Sequence, residues 1–218
     1  MDRLARHLLH GNPDTMKDAE LLELLLRFAV PDPNALARRL LEHYPGLATV
    51  LEAEPEALSA VEGMTQECIV LLRLVPELQR RYLIARSAPE TRLVDSASFG
   101  SYLLPYFYGT KDEIVYLLTL DAAGKVLSCR LIGRGSVNSA NVPMRRLVQE
   151  VLNTNASAIV LAHNHPSGIA LPSQEDIDLT LRLREALDVM DILLLDHLVI
   201  ADDDYVSMND SGYLRRSF

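Results

Sequence analysis

With 218 residues, 49% hydrophobic and 23% charged, the chain has globular composition and can bury a core in one large domain or two small ones. Residues 1–94 carry 11 basic and 14 acidic side chains, a net −3, and residues 95–218 carry 10 and 16, a net −6; neither half is the basic domain that phosphate binding favours. No apolar run approaches a membrane span and Met1-Asp2-Arg3 does not begin a signal peptide, so no membrane partner is expected and the cytoplasm is the expected compartment.

Residues 1–94 read as helical. Asp18–Arg27 is amphipathic with an acidic start and stops before Pro31 and Pro33. A second helix covers 34–43 and ends before Pro45-Gly46. Short helices follow over Leu47–Glu52 and Pro55–Val61. A longer one spans Gln66–Arg81, where Pro76 is expected to bend or restart it. Leu58–Thr65, leading into that helix, resembles a helix-hairpin-helix, a device that offers backbone N–H groups to phosphate. Glu62 puts a negative charge where phosphate would dock, so a packing corner with Thr65 as N-cap is the favoured reading. Arg80, Arg81 and Arg86 are the only basic cluster nearby and read as a solvated face.

Residues 84–95 look like a linker. Asp95 or Ser96 caps a short helix to about Tyr106. A hairpin follows, with strands 113–120 and 126–132 joined by Asp121-Ala-Ala-Gly-Lys. Cys129 in the second strand reads as a small buried hydrophobe; it is too far from Cys68 to form a disulfide framework or a zinc knuckle with it. The polar loop 133–143 is too long for a plain connection and is expected to border the site. A helix over Met144–Asn153 precedes a short apolar strand, 157–163. A helix 174–190 and strands at 192–200 and 204–207 complete the chain. Asp196-His197 interrupts an otherwise apolar strand, so it needs a partner. One of the two could orient a metal ligand, or both could simply hold loops together.

The chemistry concentrates between His163 and Asp176. In extended chain His163 and His165 share a face, so two imidazoles at one strand end can grip one ion. Pro166, Gly168 and Pro172 turn the chain. Ser173 then opens a helix and Asp176, in its first turn, can swing back towards the histidines. Two imidazole nitrogens and one carboxylate leave a tetrahedral position open, the pattern of catalytic rather than structural zinc. Ser-x-x-Asp before a helix is also a capping box, and that plainer reading stands beside the catalytic one.

His-x-His-x7-Ser-x2-Asp resembles the metal motif of the JAMM, or MPN-plus, metallopeptidases. His163-Asn164-His165-Pro166-Ser167-Gly168, followed by Pro172-Ser173-Gln174-Glu175-Asp176, is similar to the RadC branch of that family. The resemblance runs over nearly the whole chain. It implies zinc (Zn2+) held by His163, His165 and Asp176, with Ser173 stabilising the attacked carbonyl. It also implies a glutamate on an early strand that activates water. Glu113, leading Glu-Ile-Val-Tyr-Leu-Leu-Thr-Leu-Asp, matches that glutamate; Asp112 is the fallback, and its side chain should face the other way. Where RadC-like sequences read Gly-x-Gly in the helix-hairpin-helix, Gly63 is kept and Thr65 replaces the second glycine. Such sequences also carry Asp-His at the place of Asp196-His197.

The implied architecture is a three-layer α/β/α sandwich with a mixed sheet, the deaminase-like fold of JAMM domains, over residues 95–218. A small all-α, helix-hairpin-helix-like bundle over 1–90 precedes it. The implied function is a zinc-dependent hydrolase, a metallopeptidase or isopeptidase acting on an unidentified peptide or isopeptide-linked protein. The competing reading is a non-enzymatic factor in DNA metabolism with the bundle as a weak nucleic-acid module. A nucleobase deaminase is disfavoured because His-x-Glu and Pro-Cys-x-x-Cys are missing. The contiguous His-Asn-His is only a verbal likeness to HNH nucleases. Oligomeric state is not readable.

Overall fold

The computed structural model describes residues 2–86, 92–135 and 143–214. Residues 87–91 of the expected 84–95 linker and 136–142 of the expected 133–143 loop lie outside these. The chain divides into two compact units, Met1–Gln79 and Arg80–Phe218, and the division falls inside a helix.

The first unit is helical. It contains α1 (Arg3–His10), a 3-10 turn (Pro13–Thr15), α2 (Asp18–Leu26), α3 (Pro33–His43), α4 (Leu47–Glu52), α5 (Pro55–Ser59) and the start of α6 (Gln66–Arg86). Its core is almost purely aliphatic, with Leu22, Leu26, Leu36, Leu40, Leu58 and Leu72 buried together. The short helices are stopped and started by local chemistry: Asp32 caps α3 through Ala35 N, and Pro33 and Pro55 occupy first turns, where a missing N–H costs little. Pro76 does not restart the last helix. It removes one backbone donor, and the helix-favouring stretch 77–86 carries the helix on beyond the expected end at Arg81.

The segment read as a helix-hairpin-helix is a tight corner. Gly63 adopts φ +87°, and the Glu62 carbonyl accepts a hydrogen bond from Arg39 at 2.9 Å. The Thr65 hydroxyl accepts from Cys68 N at 3.3 Å, the N-cap geometry expected of it.

The second unit is the mixed α/β sandwich. It contains α7 (Ser96–Phe107), β1 (Ile114–Leu120), β2 (Val126–Arg134), α8 (Met144–Asn153), β3 (Ala158–Asn164), α9 (Gln174–Asp188), β4 (Leu193–Ala201) and β5 (Asp204–Ser207). The sheet order is β2-β1-β3-β4-β5. All neighbours are antiparallel except β3 and β4. A parallel pair needs a crossover, and α9 supplies it.

Period-two alternation sorts the strands between two layers of helix. Ile114, Leu118, Leu120, Val160, Ala162 and Leu198 pack with Phe99, Leu103 and Phe107 of α7. Val115, Leu117, Ile159 and Leu161 pack with Leu147 and Val151 of α8 and with Leu179, Leu183 and Leu187 of α9. Each core residue fully buried contributes roughly 1.5–3 kcal/mol. The β1–β2 turn is held by the Asp121 carboxylate, which accepts from Ala123 N and Lys125 N. Gly124 completes it at φ +78°, where a Cβ would run into the Leu93 carbonyl. A bulge between Ile159 and Val160 in the β3–β4 ladder resets the phase of β4. After it, Asp196 turns to the α7 face and His197 to the α9 face. No helix of the described residues is long and apolar enough to cross a membrane.

Candidate metal centre

The β3 run ends in His163, which lies on the α9 face and is completely buried. His165 follows just past the strand, and its N–H still bonds the Ile200 carbonyl at 2.8 Å, so the two imidazoles stay on one face. Their Nε2 atoms are 3.0 Å apart. Asp176, 1% exposed, places Oδ1 3.2 Å from His163 Nε2 and Oδ2 3.4 Å from His165 Nε2.

The position of Asp176 comes from helix capping. Ser173 is the N-cap of α9: its hydroxyl accepts from Asp176 N at 3.2 Å, and its own N–H and O–H donate to Asp176 Oδ2 at 2.7 and 2.6 Å. The capping box is therefore present, and it aims the Asp176 carboxylate at the imidazoles. Burial would raise the Asp176 carboxyl. When His163 is protonated, its hydrogen bond and charge, with the Ser173 bonds, outweigh it and hold the carboxyl well below the usual carboxylate range.

Glu113 is brought in by register. Val115 pairs with His163 across β1 and β3, so Glu113, two residues earlier, falls beside His165. Ligand atoms of Glu113, His163 and His165 lie within 4.8 Å of one another. Asp112 turns away, as expected, and pairs with Arg134 at 3.1 Å.

Asn164, to which the sequence reading gave no role, is what fixes Glu113. Its carbonyl oxygen accepts from Ile114 N at 2.8 Å and its amide donates to the Asp112 carbonyl at 3.0 Å, clamping the backbone on both sides of Glu113. The signal in the sequence was a polar residue at the end of an apolar strand, on the face opposite the histidines.

Asp196 and His197 separate completely. Asp196 accepts from Ser207 Oγ at 2.6 Å, from Asn209 N at 3.0 Å and from His197 N at 2.7 Å. Its burial pushes the carboxyl up despite these bonds. His197 Nε2 lies 2.8 Å from His163 Nδ1, and its Nδ1 lies 2.5 Å from the Thr180 hydroxyl. Complete burial, and then the neighbouring His163, hold the His197 pKa well below the usual imidazole value.

Proton accounting shows what the cluster is suited to bind. A backbone carbonyl can only accept, so His165 Nδ1 donates to Ile169 O at 3.0 Å, which leaves Nε2 as a lone pair in the neutral ring. The two Nε2 atoms and a carboxylate converge with separations of 3.0, 3.2 and 3.4 Å. Ligands about 2.0–2.2 Å from a tetrahedral ion stand roughly 3.3 Å from each other. The donor set thus fits a divalent ion that accepts nitrogen and oxygen. Two carboxylates reach the imidazoles. Asp176, buried and in contact with both, has the better geometry for a ligand than the half-buried Glu113.

A mixed five-stranded sheet between helical layers, with this cluster where β3 runs into α9, defines a JAB-type domain. A family model described as a RadC-like JAB domain matches residues 93–213. Similarity extends beyond that domain. UPF0758 proteins of Azotobacter vinelandii and Pseudomonas syringae pv. tomato are 37% and 35% identical over 215 residues, and one of Saccharophagus degradans is 34% identical. Each alignment covers 98% of this chain and 96% of the relative. The chain belongs to the RadC family.

Proposed function

We propose that the protein is a zinc-dependent hydrolase of amide bonds, a metallopeptidase or isopeptidase of the JAMM type. The observation that carries this reading is the convergence of two imidazole Nε2 atoms and the Asp176 carboxylate, with a further carboxylate, Glu113, close by on a separate strand. His163, His165 and Asp176 would hold the ion. When bound, zinc acidifies water to a pKa of ~7 and polarises a carbonyl.

The remaining work falls to the chain. Glu113, held by the Asn164 clamp, takes a proton from the attacking water and passes it to the leaving amine nitrogen. Ser173 is the donor to the developing oxyanion. In this arrangement its single proton points at Asp176 Oδ2, so that task requires the hydroxyl to rotate while the Ser173 N–H keeps Asp176 in place. The partner is an amide- or isopeptide-linked protein. DNA stands second as a partner, because the Glu62–Gly63 corner is tied internally by Arg39.

Metal analysis of the purified full chain, together with hydrolysis of a panel of fluorogenic peptides and isopeptides, tests the reading. About one zinc per chain is expected. Glu113→Gln keeps the size and hydrogen bonding but cannot accept a proton; it should retain zinc and lose ~10²–10⁴-fold in activity. Ser173→Ala should lose ~10²–10³-fold in activity and ~1 kcal/mol of stability through the lost cap. Full activity in Glu113→Gln, or a wild-type chain that binds no zinc, would overturn the proposal.

A further inference from the structure

We infer that His197 and Thr180 are positioning residues: a buried relay running from the Asp176 backbone through Thr180 and His197 to His163 fixes the tautomer and orientation of His163, so that its Nε2 lone pair faces the ion. This rests on the metal reading given above. Neither residue touches the ion or the substrate.

The direction of every proton in the relay is determined. Thr180 Oγ lies 2.5 Å from the Asp176 carbonyl and 2.5 Å from His197 Nδ1. The carbonyl has no proton, so two oxygens that close need the Thr180 proton between them. The Met208 sulfur, at 3.8 Å, does not compete for it. Thr180 Oγ therefore accepts, and His197 Nδ1 carries its proton. His197 is fully buried and neutral, which leaves Nε2 as an acceptor. The proton between His197 Nε2 and His163 Nδ1, 2.8 Å apart, then belongs to His163. In the neutral ring this is the Nδ1–H tautomer, with an unprotonated Nε2 facing His165 and Asp176.

The relay also ties three elements together. His163 is on β3, His197 on β4, and Thr180 one turn into α9 above Asp176. Two ligand-bearing elements are thereby cross-braced through a third. A carboxylate is a common partner for the distal nitrogen of a metal-bound histidine. Here a second carboxylate beside Asp176 would bury another charge with no cation of its own. A neutral imidazole accepts the same proton without that cost.

The test uses the full chain with zinc and cobalt as probes, in competition with a chelator of known affinity, plus ¹⁵N NMR of the histidine rings in metal-free protein. His197→Phe keeps the ring volume and removes the acceptor. Its metal affinity should fall ~10–100-fold, the scale for losing a hydrogen-bond partner of a ligand. His197→Gln restores an acceptor and should recover most of that loss. Thr180→Val, which frees the His197 tautomer, should show a smaller loss and keeps the test available if His197→Phe does not fold.

In wild type with the His163 ring neutral, Nδ1 should show the shift of a protonated nitrogen and Nε2 that of an unprotonated one. In His197→Phe the two forms should mix. Wild-type affinity in His197→Phe, equal losses in His197→Phe and His197→Gln, or a wild-type His163 protonated at Nε2 alone would overturn the relay. A wild type that binds no metal yet shows the Nδ1–H tautomer would sink the metal reading and leave the relay standing, so the two failures are distinguishable.

Discussion

The two faces of the sheet are made by the same strands, yet they bury different things. On the α7 face the strands meet aromatic rings: Tyr106 and Phe107 pack edge-on against Tyr116. Asp196, the one buried charge there among the described residues, is spent on backbone N–H groups and the Ser207 hydroxyl. On the α9 face a leucine-rich core gives way, where β3 ends, to His163, His197, Thr180 and Asp176. Asp196 and His197 are neighbours, both essentially inaccessible, and the pleat sends them to opposite sides. Burial alone therefore does not distinguish a structural polar group from a functional one. What distinguishes them is whether the partners close among themselves. The Asp196 bonds end on protein donors, whereas the chain from Thr180 and His197 ends on an imidazole whose outer nitrogen faces other acceptors.

The strongest way to break this contrast is to remove a ligand. His165→Ala and Asp176→Ala each leave two protein ligands and should abolish zinc binding, from about one ion per chain to none. Stoichiometric zinc in both variants would show that the α9 face carries no ion site of this composition.

The converse substitution sharpens the contrast. Asp196→Ala orphans the Ser207 hydroxyl and the N–H groups of His197 and Asn209, and should cost ~1–3 kcal/mol of stability in a denaturant titration. Zinc affinity should stay within about threefold, well below the loss that a metal-ligand partner would produce. A larger loss of affinity would place Asp196 with the site.

The same two carboxylates should answer acid in opposite directions. The Asp176 carboxyl is depressed, so its contribution to stability is present above the unfolded value and is lost as pH falls through its folded value. The Asp196 carboxyl is raised, so its contribution is largest below the unfolded value and is lost as pH rises through its folded value. In metal-free protein, Asp176→Asn should flatten the acid limb of a stability-versus-pH curve and Asp196→Asn should steepen it. Two curves that move together would contradict the contrast.

The smallest effect is expected in the helical unit. It buries an aliphatic core with no comparable polar cluster among the described residues, and Arg39 is committed to the Glu62 carbonyl. Titration of the full chain against labelled duplex DNA across a salt series should give micromolar or weaker affinity at physiological salt. Submicromolar affinity with a steep negative salt slope would show that this unit, too, carries a site.

Much of the fold was legible because its signals are local. Strand runs, the Ser173 cap, the Asp121 turn and the His163–His165 pair each depend on spacings of a few residues. Helix α6 departed from its reading because one proline in an otherwise favourable helix costs less than ending it. Asn164 and Thr180 carried no legible role, since an amide or hydroxyl in an apolar run does not reveal which backbone group or ring it will meet.

The sequence by itself determined the convergence of His163, His165 and Asp176. They lie within one strand-turn-helix, where side-chain period and helix capping set their directions. Only the tertiary structure decided which distant residues join them. The pairing of Val115 with His163 puts Glu113 beside the cluster, and the bulge in the β3–β4 ladder, not composition, turns His197 rather than Asp196 towards it. Register is fixed by which side chains the packed helices bury, and a slip of one residue would exchange the two faces of the strand.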